Sequence, residues 1–181
     1  HVAASGQPSL TVHPIGVMYH GVDEEVPFGG KPGRAPPPNT RLGPWFRELL
    51  AIDEQYVRET FEISLEVTHH GPWLNAPSLF IEIGSTPNEW PNEIAAKLLA
   101  DVIWRGLGLD GNTGIGGWDE ETNRGEKVVV GFGGGHYAIR LCSVAANAGI
   151  WIGHMLANYA LVMDKPEDED WEVTSGELPD G

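Results

Sequence analysis

The chain contains an adjacent histidine pair, His69 and His70, directly after one apolar run, and a lone carboxylate, Glu82, inside the next. Imidazole and carboxylate are the side chains that hold zinc or move protons near neutral pH. The arrangement recurs elsewhere: His13 follows the short apolar run Ser9 to Val12, and His136 follows Gly133, Gly134 and Gly135. There is no HExxH, CxxC or HxH pattern, so local spacing does not by itself specify zinc. Nucleophilic chemistry has less support, because there is no GxSxG elbow and nothing beside Cys142 would activate a thiolate. His154 stands among small and apolar residues, where a histidine is more often a hydrogen-bonded core residue than a ligand.

The elements that would position these groups follow from the apolar pattern. Phe61 to Val67 alternates strictly, with Glu62, Ser64 and Glu66 at the polar positions, the period of a half-buried strand. Successive strand residues point to opposite faces, so if the extended backbone continues through the pair, only one of His69 and His70 faces a given pocket. Ser78 to Ile83 reads as a second, more apolar strand, in which Glu82 needs a cation, a metal or a donor. Thr86 with Glu89 fits a capping box and Pro87 a first-turn proline, which predicts a helix from that point with a stripe of Ile94, Leu98 and Val102 ending near Leu107. Amides at Gly84, Ser85 and Thr86 would then hold a phosphate or an oxyanion at the helix start, although a plain strand-to-helix turn reads the same way.

Ser9 to Val12 is expected as a strand delivering His13. Residues 21 to 44, rich in glycine and proline, are expected as a long functional loop. Trp45 to Ile52 should be a packing helix, and 106 to 126 a surface excursion around Trp118. Val128 to Val130 has the β-branched content of a buried strand. The glycines after it match no nucleotide fingerprint; their expected use is to expose amides for an oxyanion and to present His136 at a pocket edge. Period does not decide between strand and helix for Ala145 to Tyr159.

With 181 residues and 41% apolar content the chain is long enough for one sizeable core. Residues 1 to 163 are expected as one α/β domain, and the strongly acidic 164 to 181 as a solvated tail. A net charge of −15 argues against nonspecific binding of nucleic acid, DNA included. Lys31, Arg34, Arg41, Arg47 and Arg58 fall close together, as a local basic face or as ordinary surface charge. No apolar run approaches the ~20 residues of a membrane span, so no membrane partner is expected. The N-terminus lacks the regions of a signal peptide, and the lone Cys142 cannot form an internal disulfide; together these favour the cytoplasm.

At the level of whole motifs, SGQPSLTVHPIG at Ser5 to Gly16, THHGP at Thr68 to Pro72, FIEIGSTPNEW at Phe80 to Trp90, GFGGGHYAIR at Gly131 to Arg140 and IGHML at Ile152 to Leu156 resemble, in order and spacing, the archaeal and plant type of D-aminoacyl-tRNA deacylase. The resemblance runs up to the acidic tail. It implies a three-layer α/β fold of the phosphorylase/hydrolase-like type, a mixed sheet flanked by helices, and hydrolysis of the ester joining a D-amino acid to the 3′ end of tRNA. It also implies zinc as cofactor and an aminoacylated tRNA end as partner. Carried over by motif, His13, His69, Glu82 and His136 are expected at the metal and His69, His70 and His136 at the chemistry, with the division between the two roles open.

The chain departs from the family's pattern in three ways. The family has a further N-terminal stretch of roughly a hundred residues, of the size that completes an ordinary domain. It commonly has Asn where Val17 stands, and proline where Ile139 stands. A metal-free route assisted by the neighbouring ribose hydroxyl competes within the same function. The alternatives from other classes are a noncatalytic module that binds RNA ends or small ligands and a metallopeptidase-like hydrolase.

Overall fold

The structure, a computed structural model, describes residues 6–18 and 26–161. The acidic stretch expected as a tail lies outside the described residues. The first sheet has the order β2-β1-β3, built from β1 (Ser9–Pro14), β2 (Glu62–Leu65) and β3 (Leu79–Gly84). β1 runs parallel to β2 and antiparallel to β3. A second sheet pairs β4 (Lys127–Phe132) with β5 (Ile150–Leu156) in parallel. The expected fold class, a mixed α/β arrangement, is therefore observed, but as two small sheets rather than one.

The residues just past β2 join them. Val67 N–H donates to the His136 carbonyl (2.9 Å), Thr68 N–H to the Met155 carbonyl (2.8 Å), and Met155 N–H to Thr68 Oγ1 (3.0 Å). Both sheets thus reach the segment that carries His69 and His70.

Register assigns the faces. Thr11 stands opposite Ser64 on one side and Glu82 on the other, and side chains paired across a ladder share a face. Ser9, Thr11, His13, Ser64 and Glu82 therefore lie on one side of the sheet. Leu10, Val12, Leu65, Ile81 and Ile83 lie on the other, packed into the core with Leu42, Trp45, Phe46 and Leu49 of α1 (Leu42–Leu50) and Ala95, Leu99 and Val102 of α3 (Glu93–Gly106). One face builds the core and the other carries the polar groups.

The helices differ from expectation in instructive places. α3 starts at Glu93, where Asn92 accepts from Ala95 N–H at the cap (3.0 Å). The Thr86–Glu89 pair closes a turn ahead of it instead. Its buried residues are Ala95, Leu99, Val102 and Gly106, while Ile94 is exposed, so the core face is turned from the expected stripe. Two short helices, α2 (Gln55–Thr60) and α4 (Glu120–Asn123), are too brief to show a period, and α5 (Ile139–Ala145) begins immediately after the glycine loop. Ala145 to Tyr159, undecided by period, supplies the end of α5, then β5 and a 3-10 turn at Asn158–Ala160. The expected basic set is dispersed among separate partners: Arg47 donates to the Ala145 carbonyl, Arg58 pairs with Asp53, and Lys31 sits over the Trp73 ring.

Candidate functional site

Four histidines converge at the joint between the sheets. The ring centroid of His13 is 4.1 Å from that of His69 and 5.0 Å from that of His70, and the His69 ring is 4.6 Å from His136. Both members of the pair face the same place, contrary to the alternation expected of a strand. The extended backbone does not persist: His70 has φ of 41°, in the left-handed region, and this turn brings its ring back beside its neighbour. Such a conformation is uncommon for a residue with a Cβ and is sustained by its surroundings, here Gly16 N–H donating to the His70 carbonyl (2.9 Å).

Each of these three rings is oriented by its own backbone. Nδ1 of His13 donates to the Pro14 carbonyl (3.0 Å), Nδ1 of His69 to Val67 (2.7 Å) and Nδ1 of His70 to Gly71 (2.6 Å). A carbonyl only accepts, so Nδ1 carries a proton in all three, and Nε2 is the ring atom that faces a carboxylate, Glu82 for His13 and His70 and Glu66 for His69. One ring nitrogen from each of His13, His69 and His70 lies within 4.8 Å of the other two. Glu82 Oε1 adds a carboxylate oxygen 3.1 Å from His13 Nε2 and 4.0 Å from His70 Nε2.

That donor set fits a metal ion. With the rings neutral, the Nε2 atoms and the carboxylate oxygen all accept, so they need a proton or a cation between them, and His13 is 0% exposed. Ligating histidines characteristically donate the other ring N–H to a backbone carbonyl, the pattern seen three times here. His69 is also kept neutral: burial foremost, with repulsion from His13, drives its pKa down to about 3 against the opposing hydrogen bond to Val67. Burial lowers that of His70 as well.

His136 belongs to a second group. Its Nε2 donates to Glu66 Oε2 (2.8 Å) and its Nδ1 meets the Tyr159 hydroxyl (3.0 Å), and one ligand atom from each of Glu66, His69 and His136 lies within 4.8 Å of the other two, a second group that could hold a metal ion. Glu66 is 4% exposed. Burial opposes its ionisation, but the hydrogen bond from His136 and the charge of His13 outweigh that and bring its pKa to about 2. The same Oε2 lies 3.5 Å from His69 Nε2, which joins the two groups.

Three of the expected oxyanion amides, those of Gly133, Gly134 and Thr86, have other partners. Gly133 N–H donates to the Leu156 carbonyl (2.8 Å) and Gly134 N–H to Asn158 Oδ1 (3.0 Å). Thr86 N–H donates to the Glu89 carboxylate, and no helix opens at that turn to supply an anion site. Gly84 and Ser85 do line a cavity of about 340 Å³ together with Ser9, Glu66, His69, Glu82 and Trp90. Gly135 and His136 border a separate hollow of about 720 Å³ on the glycine-loop side. Val17 is buried in the core and Ile139 is exposed at the start of α5.

Glu66 and Tyr159 escaped the reading of the sequence. Glu66 occupies a polar position of an alternating strand, and alternation looks the same whether that face meets solvent or a buried site. His154, set aside as a core histidine, has that role: Nε2 donates to the Pro36 carbonyl (3.1 Å) and Nδ1 accepts from the Thr68 hydroxyl (3.1 Å).

A sequence profile of the family described as D-aminoacyl-tRNA deacylase matches residues 1–174. A D-aminoacyl-tRNA deacylase of Arabidopsis thaliana is 48% identical over 178 residues, which cover 98% of this chain and 55% of that protein. Proteins of the same name from Methanoculleus marisnigri (36% identity, 86% of this chain and 31% of the relative) and Thermoplasma acidophilum (30%, 96% and 58%) are also similar. The chain thus spans about half the length, or less, of these relatives. Among solved structures, a crystal structure of a conserved protein of unknown function (AF0625) is similar with a TM-score of 0.66 and 31% identity, over 88% of this chain and 50% of that one.

Proposed function

The chain belongs to the D-aminoacyl-tRNA deacylase family, and from that membership we propose that it carries the centre that hydrolyses the ester between a D-amino acid and the 3′-terminal ribose of tRNA. The observation that supports this reading is the meeting of His69, His70 and Glu82 around the buried His13, with His136 and Glu66 against them. A zinc ion held there by the Nε2 atoms of His13, His69 and His70, with Glu82 as the carboxylate, would polarise a carbonyl and lower the pKa of water to near 7.

The chain's own residues do the rest. The three backbone carbonyls at Pro14, Val67 and Gly71 fix the tautomers, so the Nε2 lone pairs are aimed before any ligand arrives. The cavity beside the cluster, bounded by Ser9, Glu82, Ser85 and Trp90, is where the aminoacyl group would lie against those rings. Discrimination between D and L esters would come from walls that clash with one placement of the side chain. Trp90, exposed at the rim, offers a ring for stacking a terminal base, a mode of RNA contact that demands little positive charge.

The test is hydrolysis of D- and L-charged tRNA by the purified chain, with and without a chelator, paired with metal analysis. Release of D-amino acid that stops on chelation and returns with zinc is the expected result. Binding of charged tRNA without turnover would favour the noncatalytic module instead, and chelator-resistant hydrolysis the ribose-assisted route.

A further inference from the structure

Phe28 and His70 touch, and they share a backbone conformation that neither residue type adopts readily. Both have φ in the left-handed region, 54° and 41°, where a residue with a large side chain is seldom found. Their rings meet edge to face with centroids 5.4 Å apart. His70 turns inwards to the cluster, whereas Phe28 is 59% exposed. An aromatic ring kept in solvent by a costly backbone angle, beside the candidate centre, points to a ligand that covers it.

The loop that carries Phe28 is fastened to its surroundings. Trp73 N–H donates to the Gly29 carbonyl (3.0 Å), and Val17 and Arg34 exchange a pair of backbone hydrogen bonds (2.9 and 3.1 Å). A Cβ on Gly71 would come within 2.4 Å of the Phe28 carbonyl oxygen, so the loop lies directly on the residue that follows His70. The same loop presents two cations. Lys31 Nζ is held 4.9 Å over the Trp73 ring, and Arg34 is exposed. Neither has a carboxylate partner among the described residues, whereas Arg58, Arg105 and Arg124 are each paired with one.

We propose that this loop is the surface that receives the single strand of RNA leading to the charged 3′ end, with the Phe28 ring stacked against a base and Lys31 and Arg34 at the phosphates. It rests on the ester-hydrolase reading above and adds a place for a polyanion on a chain of net charge −15. Every base has a π face, so one exposed ring takes a nucleotide whatever its identity, and cations beside it neutralise the backbone. Two cations serve a few nucleotides of a strand end and not a duplex, whose binding engages many more phosphates. An acidic peptide would meet the cations but has no planar group for the ring.

The experiment measures binding of a labelled RNA oligonucleotide ending in CCA to the wild-type chain and to variants. Phe28→Leu keeps apolar bulk beside His70 and removes the stacking face, so affinity should fall about 10-fold, while Phe28→Trp should retain it. Lys31→Gln combined with Arg34→Gln should weaken binding and reduce the slope of log Kd against log salt concentration by about 1.4, which is about 0.7 for each phosphate neutralised on a single strand. Lys127→Gln combined with Arg140→Gln removes the same charge from β4 and α5 and should keep wild-type affinity and slope. With charged tRNA the Phe28→Leu loss should appear in KM. Unchanged affinity in Phe28→Leu, an unchanged slope in the first pair, or an equal loss in the second pair would each overturn the assignment. Displacement of the RNA by polyglutamate of equal charge would overturn it too, because the loop would then read charge alone. Binding needs no turnover, so the two readings fail separately. A chain that binds RNA through this loop but hydrolyses no charged tRNA loses the hydrolase reading and keeps the surface; one that hydrolyses it with no loss in the loop variants loses the surface alone.

Discussion

Across the β1–β3 ladder, His13 Nε2 stands 3.1 Å from Glu82 Oε1, with the histidine wholly buried and its Nδ1 already committed to the Pro14 carbonyl. Two acceptors face each other unless a proton or a metal lies between them. In Glu82→Gln the amide N–H can donate to that lone pair, so the variant should fold while losing the anionic oxygen. Zinc affinity is expected to fall about 10- to 100-fold, as when the partners of metal-binding histidines are altered. Competition against a chromophoric chelator measures it, and unchanged affinity would remove Glu82 from the site.

Acid should destabilise the metal-free chain in two stages. His69 has its pKa lowered from 6.5 to about 3 and that of His154 is also lowered by burial, so the unfolded chain binds more protons than the folded one as pH falls below 6.5. Stability from these residues is complete above that value and is lost on descending towards 3, by an amount on the order of a few kcal/mol for His69. Glu66, shifted from 4.5 to about 2, adds a second loss below 4.5 by the same sign of argument for a depressed carboxylate. Urea unfolding midpoints from pH 7.5 to 3.5 in chelator should fall throughout; a flat profile between 7 and 5 would contradict the histidine assignment.

What could be read from the sequence was what depends on neighbours in the chain. The four strands expected at Ser9, Phe61, Ser78 and Val128 correspond to β1, β2, β3 and β4, because alternation or β-branched runs are local signals, but β4, expected to be buried, leaves Val128 and Val130 exposed. The convergence of His13, one of His69 and His70, Glu82 and His136 was an expectation, and the structure brings both histidines of the pair there. The remainder depends on the third dimension. That both His69 and His70 face inwards follows from one backbone angle at His70, and that Glu66 is buried follows from which side of the sheet carries the site. The glycine loop was seen but its purpose was not, since only the fold puts Asn158 within reach of its amides.

Packing between α1 and α3 gives a prediction remote from the chemistry. Gly106 lies at the last position of α3 where a Cβ would come within 2.4 Å of the Trp45 ring, and that ring is held by its Nε1–H bond to the Ile115 carbonyl (3.1 Å). In an ordinary helix the change to alanine helps by about 1 kcal/mol. Here overpacking against a fixed ring should outweigh it, with a net loss of about 1–2 kcal/mol in chemical denaturation of Gly106→Ala.

Thr68 connects the site to its support. Its hydroxyl oxygen accepts from Met155 N–H (3.0 Å), and its proton is donated to His154 Nδ1 (3.1 Å), whose Nε2 is held by the Pro36 carbonyl (3.1 Å). A single oxygen thus ties β5 and the proline-rich loop to the residue next to His69. Thr68→Val keeps the shape and leaves a buried N–H and a ring nitrogen without partners, which should cost about 1–3 kcal/mol in stability. Because His69 and His70 follow directly, zinc affinity should fall as well. Thr68→Ser, which retains the hydroxyl, should recover most of both, whereas equal loss in the two variants would assign the effect to the methyl group.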